Sequence, residues 1–192
     1  QTANLFNSLG VNKTDAVSIM LPTLPQTQFA IWGAQAAGIS SPLNPMLEPR
    51  HIAEIIGVTG SKVFMAMAPM PSAPYLWETT LEVIRLTPEL EHLVLVTIPG
   101  FTDEIPTDLD IQVTDYSQAL ETQNPAELDS KRQFEAEDIA CYMHTGGTTG
   151  RPKVAQLTHA NFAFTAQFTK DKISDRPREN VLSALPMFHI FG

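Results

Sequence analysis

Short continuous apolar runs alternate along the first hundred residues with segments whose apolar positions recur every three or four residues. The continuous runs, each typical of a buried strand, cover residues 16–21, 63–66 and 93–98. The periodic segments, each typical of one helix face, carry Phe29, Trp32 and Ala36, then Ile52, Ile55 and Ile56, then Trp77, Leu81 and Ile84. This alternation predicts an α/β fold, with a mostly parallel sheet and helical crossovers. We therefore expect Trp32 and Trp77 to lie in the core.

Two segments interrupt the alternation. Residues 40–49 contain three prolines and indicate a turn-rich connection. Residues 99–138 are rich in proline and acidic residues and predict a surface excursion, with one strand at 111–113 and a short helix at 117–121. Strand character returns at residues 139–143, directly before a loop rich in glycine and threonine.

The net charge of −9 is unevenly distributed. Residues 1–98 hold seven acidic and four basic side chains, residues 99–140 hold eleven and two, and residues 141–192 hold three and six. The glycine- and threonine-rich loop thus lies in the net-positive part of an acidic chain. An acidic chain binds nucleic acid poorly, since phosphate backbones are bound mainly by Lys and Arg. A local positive region favours a small anionic ligand instead.

The remaining composition predicts a cytoplasmic protein. Cys141 is the single cysteine, so no disulfide can form within the chain, and a reducing compartment fits. No apolar run approaches the roughly 20 residues that span a bilayer, so no transmembrane segment is expected. No grouping of His, Cys, Asp and Glu has the spacing of a zinc site. Both ends of the chain are apolar in pattern, and we expect it to be a fragment of a longer protein.

The loop after residue 144 has the composition of a phosphate-binding loop. Glycines let the backbone approach an anion closely, threonine hydroxyls add donors, and a lysine adds a mobile charge. These residues are Thr145, Gly146, Gly147, Thr148, Thr149, Gly150 and Lys153.

Spacing excludes two familiar loop types. A Walker loop needs Lys and then Ser or Thr directly after its last glycine, whereas Gly150 is followed by Arg151-Pro152-Lys153. The G-x-G-x-x-G dinucleotide fingerprint fails at the first pair of glycines, and Pro152 and Val154 do not favour the helix that it requires.

The loop matches the pattern [ST]-x-G-T-T-G-x-P-K, and on this basis the chain resembles the acyl-CoA synthetases of the adenylate-forming (AMP-binding) superfamily. Two further motifs occur in the expected order: T-H-x-N at residues 158–161 and L-P-x-F-H-x-x-G at residues 185–192. Leu21–Pro25, Ala37-Gly38 and Asn44-Pro45 are also similar to family turns, with Thr23 in place of an Asn. The resemblance covers nearly the whole chain.

This resemblance implies a reaction and its participants. ATP and a carboxylic acid would react, with Mg²⁺ as the metal, to give an acyl-AMP. Coenzyme A would then accept the acyl group. The carboxylic acids implied by the resemblance include fatty acids. The residues implied to contact the triphosphate are Thr145, Gly146, Gly147, Thr148, Thr149, Gly150 and Lys153. His189 and Phe188 are implied to border the acyl and adenylate pocket.

The chain departs from the family pattern in several ways. Gly146 stands where many members carry Ser, and Val154 replaces a common Gly; the His-Thr-Gly-Gly-Thr-Thr-Gly form is similar to fatty-acyl-type synthetases. The family's magnesium-binding glutamate, ribose-binding aspartate, hinge and C-terminal catalytic lysine belong to later motifs. We therefore expect no complete catalytic set and no metal ligand within residues 1–192, and no turnover by this chain alone.

The resemblance also predicts the domain organisation. Residues 1–192 would be part of a large N-terminal AMP-binding domain, with a βαβ-type portion at 1–98, an acidic excursion at 99–138 and a phosphate-loop portion at 139–192. A C-terminal lid domain would be absent. Three alternatives stay open: a nucleotide-binding module without chemistry, an adenylation domain of the peptide-synthetase type, and a luciferase. Thr158 is expected to cap a helix that carries Phe162. His144 is expected either to face the ligand or to form a hydrogen bond within the fold.

Overall fold

The computed structural model describes residues 1–145, 152–173 and 185–189, with residues 171–173 as backbone alone. The helices are α1 (Thr2–Ser8), α2 (Pro25–Ala37), α3 (Pro49–Thr59), α4 (Pro74–Leu86), α5 (Tyr116–Glu121) and α6 (His159–Ile173). The strands are β1 (Ala16–Met20), β2 (Ile39–Pro42), β3 (Val63–Met67), β4 (His92–Val96), β5 (Gln112–Asp115), β6 (Ile139–His144) and β7 (Val154–Thr158).

The strands form one seven-stranded sheet in the order β5-β4-β3-β1-β2-β6-β7. Every neighbouring pair is parallel except β6 and β7, which are antiparallel. Strands β1 and β3 are buried along their whole length, as expected for a parallel sheet covered on both faces. Helices α1, α2 and α5 cover one face, and α3 and α4 cover the other. The predicted mostly parallel α/β fold is confirmed.

Strand β2 was not predicted, because its residues are polar. Residues 40–49 were expected to be a turn-rich connection, yet Ile39–Pro42 forms a fully buried strand between β1 and β6. The hydroxyl of Ser40 is satisfied inside the fold: its Oγ donates to the carbonyl of Ala140 at 3.2 Å and accepts from the Nε2 of Gln35 at 3.4 Å. Buried polar groups that are hydrogen-bonded carry little penalty, so composition alone concealed this strand.

Helix α2 presents a different face to the core from the one predicted. Trp32 is 66% exposed and Phe29 is 55% exposed, so the prediction that Trp32 lies in the core is wrong. The buried face consists of small residues, among them Ala30, Gly33 and Ala34. A Cβ added at Gly33 would lie 2.6 Å from the Cγ2 of Thr2, which shows how closely α1 approaches α2 there. Small residues permit this close packing and leave the aromatic side chains outside.

The acidic excursion is more firmly attached to the fold than its composition suggests. The predicted strand and helix are present as β5 and α5, and the Oδ1 of Asp115 caps α5 by accepting from the N–H of Gln118 at 3.0 Å. Tyr116 is buried, and its hydroxyl lies 2.7 Å from the Oγ1 of Thr2. The Nη1 of Arg132 donates to three backbone carbonyls at the end of α2. The excursion therefore contributes an edge strand and part of the core.

Candidate functional site

The phosphate-loop candidate connects the two strands of a β-hairpin. Strand β6 runs to His144, β7 begins at Val154, and these two residues are register partners. No helix follows the loop directly, since residues 154–158 form a strand before α6 begins. Walker and dinucleotide loops both join a strand to a helix, so this geometry agrees with their exclusion by spacing.

Thr145 closes the base of the loop. Its N–H donates to the carbonyl of Lys153 at 2.9 Å, and its Oγ1 donates to the same carbonyl at 3.3 Å. The hydroxyl of Thr145, predicted to contact phosphate, thus donates its hydrogen to the backbone at the base of the loop. The lone pairs of its oxygen can still accept a hydrogen bond. Lys153 is exposed at the other end of the loop. Gly146, Gly147, Thr148, Thr149 and Gly150 lie outside the described residues.

His144 ends β6 immediately before this loop. Its Nε2 is buried and has no hydrogen-bond partner among the described residues. Burial lowers the pKa of His144, and the nearby imidazole of His189 lowers it further. The side chain is therefore a neutral imidazole near neutral pH, with a ring nitrogen available to a ligand or a water molecule. The end of β6 and the Leu185–His189 segment lie near each other, since Met143 and His189 line the same cavity.

The T-H-x-N motif builds the beginning of α6. The N–H of Asn161 donates to the Oγ1 of Thr158 at 3.3 Å, and the N–H of Thr158 donates to the Oδ1 of Asn161 at 2.9 Å. This reciprocal pair is a capping box with Asn in the third position. The N–H of His159 donates in turn to the carbonyl of Asp138 at 3.0 Å. The predicted capping role of Thr158 is confirmed, and the motif fixes the direction in which the chain leaves β7.

A largely apolar cavity of about 510 Å³ lies beside β6. It is lined by residues of α2, β6, β7, α6 and the Leu185–His189 segment. Its lining includes Trp32, Cys141, Met143, Phe162, Met187 and His189. His189, predicted to border the acyl and adenylate pocket, lines this cavity. Phe188 is half-buried and is not one of the described residues that line it.

Sequence reasoning missed most of this cavity. Cys141 and Met143 lie two residues apart on β6, and they share the cavity lining with Trp32, which lies more than 100 residues earlier in the chain. Trp32 is an exposed aromatic residue at this cavity. The apolar periodicity of α2 did not reveal this position, because it predicted Trp32 in the core. Burial raises the pKa of the Cys141 thiol to about 11, so it is not a nucleophile at neutral pH.

Two further features bear on the chemistry. Within the described residues, no three side chains among His, Cys, Asp and Glu are grouped so that they could hold a metal ion. Over the same residues, none of the helices combines the length and hydropathy needed to cross a membrane.

Comparison with known proteins assigns the family. The model of the AMP-binding enzyme family matches residues 1–192. Marinolic acid–CoA ligase of Pseudoalteromonas sp. (strain SANK 73390) is 33% identical over 200 residues, which cover 98% of this chain and 28% of that protein. Crotonobetaine/carnitine–CoA ligase of Salmonella enteritidis PT4 is 30% identical over 191 residues, which cover 99% of this chain and 34% of that protein.

A solved structure shows the same fold. The N-terminal domain of FACL13 from Mycobacterium tuberculosis matches with a TM-score of 0.74 and 25% identity, over 98% of this chain and 42% of that one. The chain spans about a third of the length of the two curated relatives. It belongs to the AMP-binding family of adenylate-forming enzymes, in which these relatives are CoA ligases.

Proposed function

We propose that the longer protein containing this chain is an acid–thiol ligase, which activates a carboxylic acid with ATP and transfers it to coenzyme A. The observation that carries this proposal is the loop itself: a glycine- and threonine-rich segment held at its base by a β-hairpin, with Lys153 exposed at its end. The family match and the CoA ligases among the relatives support it.

The proposed reaction has two steps. A carboxylate oxygen attacks the α-phosphorus of ATP, a new P–O bond forms, and pyrophosphate leaves with the electrons of the broken bond. The thiol of coenzyme A then attacks the acyl carbon, and AMP leaves. The work of Lys153 and of the loop from Thr145 to Gly150 would be to position the triphosphate and offset the charge on the leaving pyrophosphate. Mg²⁺ would arrive with the nucleotide, bound by phosphate oxygens and water.

We propose a fatty-acyl-type substrate for this reaction. The Thr145-Gly146-Gly147 sequence supports this, as does the apolar lining of the cavity that His189 borders. We place Phe188 at the margin of the same acyl and adenylate pocket. Because one relative is named for marinolic acid and another for crotonobetaine and carnitine, the acids tested should include short and polar ones.

We also propose how these residues fit into the longer protein. They would form part of a larger N-terminal domain, with portions at 1–98, 99–138 and 139–192, and a C-terminal lid would complete the site. The match to only 42% of a solved N-terminal domain supports this arrangement. It follows that residues 1–192 alone should not form acyl-CoA. A cytoplasmic location would fit the need for ATP and coenzyme A, and the free Cys141.

Product analysis tests the proposal. The full-length protein is incubated with ATP, Mg²⁺, coenzyme A and each of a set of carboxylic acids, and the products are identified by mass spectrometry. We expect AMP, pyrophosphate and an acyl-CoA, with long-chain acids used best. Formation of ADP and phosphate, or nucleotide binding with no acid-dependent turnover, would overturn the proposed reaction. A preference for short polar acids would overturn the fatty-acyl assignment alone.

A further inference from the structure

A buried amide lies in the wall of the largely apolar cavity beside β6. Four residues of α2 that line this cavity are spaced at i, i+3, i+4 and i+7, so they share one face of the helix: Gln28, Ile31, Trp32 and Gln35. Gln28 and Trp32 are exposed, whereas Gln35 is only 5% exposed. The cavity therefore contains one polar side chain of α2 that is almost completely removed from bulk solvent.

Hydrogen bonds fix the orientation of the Gln35 amide. The Oγ of Ser40 donates its one hydrogen to the carbonyl of Ala140 at 3.2 Å, so it can only accept from Gln35. The Nε2 of Gln35 donates to this Oγ at 3.4 Å. Its Oε1 has no donor among the described residues and is accessible from the cavity. Because a buried acceptor without a donor is costly, the cavity favours a ligand that carries a donor.

The backbone that carries Gln35 is held in place at the end of α2. The Nη1 of Arg132 donates to the carbonyls of Gln35, Ala36 and Gly38 at 3.1–3.4 Å. A Cβ added at Gly38 would overlap the backbone carbonyl of Asp15, so the end of the helix packs directly against the segment before β1. The amide of Gln35 is thus presented by a fixed element of the fold.

Gln35 lies at the end of the cavity that is farther from the phosphate loop. Strands β1, β2 and β6 run in the same direction, and the loop follows the carboxyl end of β6. Helix α2 runs back from the end of β1 to the start of β2, so Gln28 lies nearer the loop than Gln35 does. Seven residues of helix separate them, a rise of about 10 Å. An acid whose carboxylate lies at the loop would extend its chain along α2 towards Gln35.

We propose that the acid bound in this cavity is a hydroxylated fatty acid, whose hydroxyl group, part-way along the chain, donates to the Oε1 of Gln35. This inference rests on the proposed carboxylate activation and names the substrate class of the same site. The described lining contains no Lys, Arg, Asp or Glu, so an uncharged donor fits better than an ionised group. A hydroxyl also fits better than a keto group, which has no hydrogen to donate.

Acid-dependent ATP–pyrophosphate exchange by the full-length protein tests the inference, with hexadecanoic acid and its monohydroxylated positional isomers as substrates. We expect one interior hydroxyl position to give a kcat/KM about fivefold above that of hexadecanoic acid, as for one added hydrogen bond. Hydroxyls at the other positions should lower kcat/KM, because the apolar lining leaves them unpaired. The methyl ether of the preferred isomer, which cannot donate, should lose the advantage.

A variant of Gln35 assigns the preference to this side chain. Gln35→Met removes the amide and keeps a long unbranched side chain, while the Oγ of Ser40 still donates to the carbonyl of Ala140. We expect this variant to use hexadecanoic acid at least as well as the preferred hydroxy acid. Gln26→Met is the matched control, because Gln26 belongs to the same helix and is not among the described residues that line the cavity. It should keep the preference of the wild type.

The outcomes separate this inference from the proposed reaction. Exchange with hexadecanoic acid but no preferred hydroxyl position would overturn the inference and leave the proposed reaction standing. An equal advantage for the methyl ether, an unchanged preference in Gln35→Met, or its loss in Gln26→Met would do the same. Because the ether is tested on the unaltered protein, its result does not depend on the folding of a variant. Exchange with no carboxylic acid at all would overturn the proposed reaction and the inference together.

Discussion

Thr145 shows how one residue can hold a loop in shape without being the main residue that contacts phosphate. Family resemblance implies a phosphate contact, but the structure shows the N–H and the Oγ1 both donating to the carbonyl of Lys153. The N–H bond belongs to the backbone and is independent of residue type. The Oγ1 bond is specific to a hydroxyl, so it can be removed while the hairpin is kept.

Thr145→Val should therefore weaken adenylation and destabilise the fold by no more than about 1 kcal/mol, the contribution of one hydrogen bond. Valine has the same shape, and one hydrogen bond contributes about 1 kcal/mol, which corresponds to a rate reduction of about five- to tenfold. Acid-dependent ATP–pyrophosphate exchange measures the effect. Thr122→Val is the matched control, because the Oγ1 of Thr122 also donates to a backbone carbonyl, that of Ala119, far from the loop. An equal loss of exchange in both variants would argue against the closing role of Thr145.

His144 predicts a pH dependence of stability. Burial lowers its pKa in the folded state, so the unfolded chain binds protons more readily. The contribution is complete above the ordinary histidine pKa of about 6.5 and is lost as the pH falls through that value towards the folded pKa. Urea unfolding at a series of pH values should show less of this decline in His144→Gln than in the wild type. The exposed His51→Gln is the control, and identical curves for His144→Gln and wild type would contradict the prediction.

At the scale of elements, helix α2 shows that burial follows size as well as hydropathy. The small residues Ala30, Gly33 and Ala34 face α1 and the sheet, and this close approach turns Trp32 towards the cavity beside β6. A periodic pattern of large apolar residues therefore identified the helix correctly but assigned it the wrong buried face.

Gly33→Ala should destabilise the protein by roughly 1–3 kcal/mol, because the new Cβ would lie 2.6 Å from the Cγ2 of Thr2. Gly57→Ala is a matched control in the interior of α3, where a Cβ meets nothing within 4 Å. There the same substitution should stabilise by about 0.5–1 kcal/mol, since alanine is the better helix former. Urea unfolding measures both. A neutral Gly33→Ala would show that α1 moves aside at little cost.

Much of the fold could be predicted because its central strands and helices carry distinct apolar periods. Strands β1, β3 and β4 appear at the expected places, whereas β2 was missed because Ser40 is buried through hydrogen bonds that a single sequence does not reveal. Strand β7 was missed because its pairing partner, β6, lies across the loop. The candidate loop was identified from local spacing, but the cavity depends on contacts between distant segments.

At the scale of the whole molecule, charge and topology separate two regions. The sheet ends in the β6–β7 hairpin at one edge, within the net-positive part of the chain, while the acidic excursion pairs through β5 at the opposite edge. Strand β5 therefore lies across the sheet from the hairpin, whereas Asp138 at the end of the excursion lies beside the beginning of α6.

The account depends most on the role of Lys153 in carboxylate activation. In the full-length protein, carboxylic-acid-dependent ATP–pyrophosphate exchange should fall by on the order of 100-fold in Lys153→Ala, as expected when a group that stabilises developing charge is removed. Lys170→Ala removes the same charge from the exposed surface of α6 and should leave exchange unchanged. Wild-type exchange in Lys153→Ala, or no acid-dependent exchange in the unaltered protein, would contradict carboxylate adenylation at this loop.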